Sequence, residues 1–188
     1  MLLVGSVLST CTPAEPAPGS GLSGTANPLP GALWVDVTDE VLDSTAEWSN
    51  KVELADLDGD GWLDILFANG GNYSTPGDPE PNRVFMNRGP GQRFEQRTSD
   101  VLGPRPDISR VIKARDFNGD GDVAIFVGTT YQTQSRLFLG LGGGAFEEVT
   151  STHLPRIDFS LGDAEPGDVD GDGDLVLADW GPGNNMTN

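Results

Sequence analysis

From residue 32 onward, short apolar runs alternate with clusters of Gly, Asp, Asn and Pro at the spacing of strands and turns. The runs fall at 33–38, 52–55, 65–68, 83–87 and 93–96, and the order repeats at 111–114, 123–127, 136–140 and 145–150. None is long enough to show a helical period, and 26 glycines and 14 prolines interrupt the chain too often for helices to extend. The pattern predicts an all-β chain with four strands per unit. The units overlay: Asn82-Arg83-Val84-Phe85-Met86-Asn87-Arg88-Gly89 and its continuation to Phe94 match, with one gap, Ser135-Arg136-Leu137-Phe138-Leu139-Gly140-Leu141-Gly142 and its continuation to Phe146. Each reads as a hairpin closed by a glycine turn. Trp34 with Val37-Thr38 repeats Phe146 with Val149-Thr150, the tail of an earlier unit. The expectation is two near-complete units flanked by two partial ones.

Between the runs stand three loops, Asp56-Leu57-Asp58-Gly59-Asp60-Gly61, Asp116-Phe117-Asn118-Gly119-Asp120-Gly121 and Asp168-Val169-Asp170-Gly171-Asp172-Gly173, at a period of roughly 50–60 residues. Alternating carboxylates on a glycine-bent backbone suit a hard, oxygen-seeking cation, and the lack of sulfur or imidazole favours Ca²⁺ over zinc or copper. In the first loop Asp56, Asp58 and Asp60 take positions 1, 3 and 5, the carbonyl of Trp62 can serve position 7, and Asp64 closes at position 9. The second loop offers Asp116, Asn118, Asp120 and Asp122, and the third Asp168, Asp170, Asp172 and Asp174. After Gly121 and Gly173 the chain passes directly to Asp122-Val123 and Asp174-Leu175, so two residues present before Asp64-Ile65 are missing from both. These loops are expected to bind more weakly. An EF-hand needs a bidentate acid at position 12 and flanking helices. Position 12 of the first loop is Phe67, whereas the third has Asp179 there and leaves an EF-hand or dockerin reading open, against Pro166-Gly167 and Gly181-Pro182. Soluble Asp/Gly turns without a metal are the simpler alternative for all three.

Loop, aliphatic strand and Arg-Val-Phe-Met-Asn or Arg-Leu-Phe-Leu-Gly hairpin, recurring in order, resemble the FG-GAP/VCBS repeats of integrin α-subunit propellers and exported bacterial proteins. The resemblance covers roughly residues 32–181. It implies a β-propeller of four-stranded antiparallel blades with calcium in the turn between two strands of each. Closed propellers use typically 4–8 blades, so these units form a partial propeller. They are expected to self-associate or to meet blades from a longer chain, with apolar faces near Trp34 and Trp180. The implied role is a non-catalytic binding or scaffold module, its protein or carbohydrate ligand unspecified. The alternative is the non-catalytic propeller part of a truncated exported lyase or hydrolase.

With 29 acidic against 11 basic side chains the formal charge is −18, which repels phosphate backbones, so nucleic acid is excluded as a partner. His153 is the only histidine and Cys11 the only cysteine. No zinc centre or Cys-His nucleophile can be assembled, and nothing marks a serine as a nucleophile; no enzyme is predicted. Trp34, Trp48, Trp62 and Trp180 are read mainly as blade packing. Residues 1–11 run from apolar to small, and Leu8-Ser9-Thr10-Cys11 resembles a lipobox, which would make Cys11 a lipidated first residue; a plain cleaved signal is the alternative. Residues 12–31 form a Pro/Ala/Gly/Ser tether, and 32–188 the repeat region. Export to the cell envelope or beyond is expected.

Overall fold

The computed structural model describes residues 36–43, 45–72, 74–156, 160–170 and 173–181. The signal-like segment with Cys11, the tether, Trp34 and Asp172 lie outside the described residues. Three antiparallel sheets follow one another along the chain. The first is β1 (Ser49–Ala55), β2 (Asp64–Asn69), β3 (Arg83–Met86) and β4 (Glu95–Gln96), in that spatial order. The second repeats it with β5 (Ser109–Arg115), β6 (Ala124–Thr129), β7 (Arg136–Gly140) and β8 (Phe146–Glu148). A third pairs β9 (Leu161–Gly167) with β10 (Asp174–Asp179). Up-and-down order with short connections is the organisation of a propeller blade.

The sheets stack face to face. Leu66, Ala68, Val84 and Met86 of the first bury against Ile112, Ala114, Ile125, Val127 and Phe138 of the second. The far side of the second, through Val111 and Phe126, meets Leu161 and Ala164 of β9 and Leu175 and Leu177 of β10. Strands β2 and β6 are buried along their whole length because both faces are covered, which explains why they read as continuous apolar runs. Each such Leu, Ile or Phe contributes about 1.5–3 kcal/mol on burial. Gly128 permits the close approach of the third sheet: a methyl there would lie 2.9 Å from Val111 Cβ and 3.0 Å from Leu161 Cδ1.

The repeats agree in detail. The first strand of each unit bulges at one residue, Asn50 in β1 and Arg110 in β5. Both bulge residues cross to the neighbour, since Asn50 donates to Ser109 O at 2.7 Å and Arg110 to Asn50 Oδ1 at 2.9 Å. Arg83 pairs with Glu47, and its equivalent Arg136, 2% exposed, pairs with Asp107 at 2.8 Å and Glu148 at 2.8 Å and lies over the Phe138 ring.

Three short helical turns correct the sequence reading: α1 (Thr38–Val41), α2 (Thr98–Val101) and α3 (Thr150–His153). Within the run at 33–38 the described residues are coil and the start of α1, not strand, and the runs at 93–96 and 145–150 shrink to β4 and β8. A common device explains α2 and α3. Thr98 Oγ1 accepts the Val84 N–H at 3.0 Å and Thr150 Oγ1 the Leu137 N–H at 3.1 Å, extending the outer ladder as the backbone coils away. Each turn then delivers a leucine to the next interface: Leu42 against Phe67 and Phe85, Leu102 between the first two sheets, and Leu154 toward the third. The recurrent Thr-x-x-x-Leu spacing was the available signal. Trp48, Trp62 and Trp180 are 47%, 45% and 42% exposed, so these rings are not packed between sheets as the sequence suggested. Trp62 rests on Gly89 and Trp180 on Gly162.

Candidate metal centre

The first loop joins β1 to β2, and its geometry follows from Asp/Gly chemistry. Gly59 and Gly61 take φ of 76° and 91°, a region that favours glycine, and this bends the backbone so that its amides point inward. Asp56 collects them: Oδ1 accepts from Gly59 N at 2.8 Å and Asp60 N at 3.1 Å, and Oδ2 from Gly61 N at 2.9 Å. Leu57 plugs the loop into the core between the first two sheets. Asp64, the first residue of β2, is fully buried beneath the loop. Its Oδ2 accepts from Leu57 N at 2.8 Å and its Oδ1 from Asn87 N at 2.7 Å, which ties the loop to the β3–β4 hairpin. Burial pushes this carboxyl up to about 6, against the pull of those two N–H bonds and with the Asp58 and Asp60 charges adding to the rise.

Asp56, Asp58 and Asp64 each bring an oxygen within 4.8 Å of the others. Asp60 does not join them; it is exposed and turns back on the loop, its Oδ1 accepting from Trp62 N at 2.9 Å. Three carboxylates held at such separation, one of them desolvated, repel one another and match the donor set of a hard divalent cation. The residues fit calcium.

The other loops divide in a way the sequence did not indicate. In the ladder Ala55 pairs with Asp64 and Arg115 with Ala124, so residues 116–123 form a loop as long as 56–63. No pair is missing from the second loop. Ala124 takes the place of Asp64, and Asp122 falls at the place of Trp62, exposed, its N–H donating to Asp120 Oδ1 at 2.8 Å. Asp116 still gathers Gly119 N at 2.7 Å and Gly121 N at 2.9 Å, while Asn118 donates to Asp120 Oδ2 at 2.7 Å. Those bonds hold the Asp120 carboxyl below its ordinary range, the Asp122 N–H first. The second loop therefore keeps its shape and lacks a buried closing carboxylate.

The third loop is the shortened one. Gly167 pairs with Asp174, which puts Asp174 where Asp64 stands, and Asp174 Oδ2 accepts from Val169 N at 2.9 Å as Asp64 does from Leu57 N. Asp168, Asp170 and Asp174 converge within 4.8 Å. Strands flank the loop, and Asp179 Oδ1 accepts from Ser160 N at 2.9 Å and Gly181 N at 3.1 Å, which removes the EF-hand and dockerin readings.

An FG-GAP-like repeat matches residues 56–127 and again 116–178, each match running from one Asp/Gly loop past the next. The chain belongs to the FG-GAP-like repeat family. Its FG-GAP-like units are thus framed loop to loop, and the propeller-like stacking of their sheets follows from that frame. No curated protein matches the chain. FG-GAP-like repeats are generally non-catalytic, and the repeat architecture points to a repeat-based binding module. Sequence reasoning missed one residue at the centre: Arg88, which donates to Asp58 Oδ2 at 2.8 Å.

Proposed function

We propose that this chain is a calcium-stiffened binding or scaffold module that works outside the cytoplasm. The convergence of Asp56, Asp58 and Asp64 where one sheet meets the next carries the reading. Bound calcium would neutralise those carboxylates and lock the loop. Asp64 reaches the loop through Leu57 and the hairpin through Asn87, and Leu57 reaches the second sheet, so order at the loop is transmitted to the blade interface. The third loop, with Asp168, Asp170 and Asp174, is the second candidate. Residues 1–31, with their signal-like run, Cys11 and tether, support export, where calcium is plentiful. Ligand recognition by protein or carbohydrate would fall to the loops between strands, such as residues 72–81.

The experiment is calorimetric titration of the metal-stripped chain with calcium, alongside thermal melts in chelator and in millimolar calcium. A ligand at ten times its dissociation constant stabilises by about 1.4 kcal/mol per site. No heat and an unchanged melting temperature would end the reading.

A further inference from the structure

Asp58 lies against the neighbouring blade. A methyl on Gly144, in the β7–β8 turn, would lie 2.9 Å from Asp58 Cβ, and the Asp58 side chain is only 12% exposed. A carboxylate so enclosed needs a positive partner, which the protein must supply when no metal is bound. Arg88, leaving β3, supplies one. Its Nη1 donates to Asp58 Oδ2 at 2.8 Å, while Nε and Nη2 donate to Glu95 Oε2 at 2.9 Å and 2.7 Å. The guanidinium is anchored on Glu95 and extends one arm to the loop.

The second unit acts as an internal control. Ile65 pairs with Phe85 and Ile125 with Phe138, which makes Leu141 the counterpart of Arg88. By loop position Asn118 is the counterpart of Asp58. Where the loop carries a charge the hairpin carries arginine; where the loop carries a neutral amide the hairpin carries a leucine, 61% exposed. Charge and counter-charge vary together within one chain.

We propose that Arg88 is a resident counter-cation for Asp58, and that competition between Arg88 and calcium for this carboxylate sets the affinity of the first loop. The proposal rests on the calcium reading above. Without metal, Arg88 neutralises Asp58 and fastens the loop to the β3–β4 hairpin. When calcium takes the charge of Asp58, Glu95 retains the guanidinium, and the hairpin is released from this one tie to the loop. Arg88 is a positioning residue, so its removal separates two readouts that a merely structural role would move together: calcium-free stability falls while calcium affinity rises.

The test is a double-mutant cycle of Arg88→Leu, Asp58→Asn and the two combined, with melts in chelator and calorimetric calcium titrations. Arg88→Leu is expected to lower the melting temperature in chelator. The combined variant, which copies the pairing of the second unit, should recover most of that loss. In calcium, Arg88→Leu should bind about ten-fold more tightly than the parent, the scale expected on removing one adjacent unit charge at intermediate dielectric. Arg88→Lys, which keeps the charge without the fork, should fall between them. Calcium heat in the parent with unchanged or weaker affinity in Arg88→Leu overturns the competition, as does strict additivity in the chelator cycle. Absence of calcium heat in the parent ends the calcium reading itself and the competition with it, whereas the chelator cycle still decides the Arg88–Asp58 pairing.

Discussion

Replacing Asp64 by Asn isolates the contribution of a buried loop carboxylate. Its two oxygens accept N–H bonds from Leu57 and Asn87. Asn has one carbonyl oxygen, so one buried N–H would face the amide NH₂, at a cost of about 1–3 kcal/mol. Against this, the native carboxyl is pushed up to about 6. Each tenfold loss of acidity corresponds to about 1.4 kcal/mol, so keeping this group ionised at pH 7.5 costs roughly 1–3 kcal/mol, and Asn avoids that cost. The two nearly cancel, so in chelator at that pH Asp64→Asn should melt within a few degrees of the parent. In calcium they part: at a hundred times its dissociation constant a ligand stabilises by about 2.7 kcal/mol, and the variant should lose most of that gain. The pH dependence has a definite sign. A carboxyl whose folded pKa lies above its unfolded value keeps more protons in the native state, so calcium-free stability falls as pH rises from about 4 through about 6. Asp64→Asn should lack this fall. Melts across that range, in chelator and in calcium, test both halves. Equal calcium shifts in parent and variant, or a stability difference that stays flat with pH, would refute the reasoning.

Ala124→Asp should supply the second loop with the carboxylate it lacks, adding a calcium event in calorimetry while costing about 1–3 kcal/mol in chelator, because position 124 is buried; unchanged stoichiometry would count against the ladder assignment. Leu102→Ala, at a side chain 1% exposed between the first two sheets, should cost about 2–5 kcal/mol in urea unfolding; a loss under about 0.5 kcal/mol would show that the helical turn is not a staple. Arg136→Met should cost about 3–5 kcal/mol by removing the buried partner of Asp107, which keeps only the more exposed Arg105 at 3.4 Å. Because Arg136 holds the Glu148 carboxyl below its ordinary range, part of that deficit should fade as pH drops below about 4; a deficit independent of pH would argue for lost packing instead.

The sequence by itself determined most strands of the two complete units, though not β9, together with the hairpins and the Asp/Gly loops, because these depend on local preferences: apolar runs bounded by turn residues, and glycine where φ is positive. Alignment of Arg83 with Arg136 and of Val37-Thr38 with Val149-Thr150 was legible for the same reason, as was the FG-GAP-like repeat. Four-residue helical turns were not, since α1, α2 and α3 are too short to show a period and are held by bonds such as Thr98 to Val84 and by leucines buried in the next interface. The tryptophans misled because exposure at a blade rim is a property of the stack. Loop register was the deeper failure. Strand β6 is buried on both faces and carries no alternation, and a slip of two residues returns every side chain to its own face, so the sequence could set either Asp122 or Ala124 opposite Arg115. Tertiary structure decided for Ala124, because β7 pairs Phe138 with Ile125 and fixes β6 from its other edge. Strand β10 has only β9 as a partner among the described residues, and there the shorter loop brings Asp174 into the closing position. The Arg88–Asp58 pair, 30 residues apart in the chain, likewise exists only because the hairpin folds back over the loop.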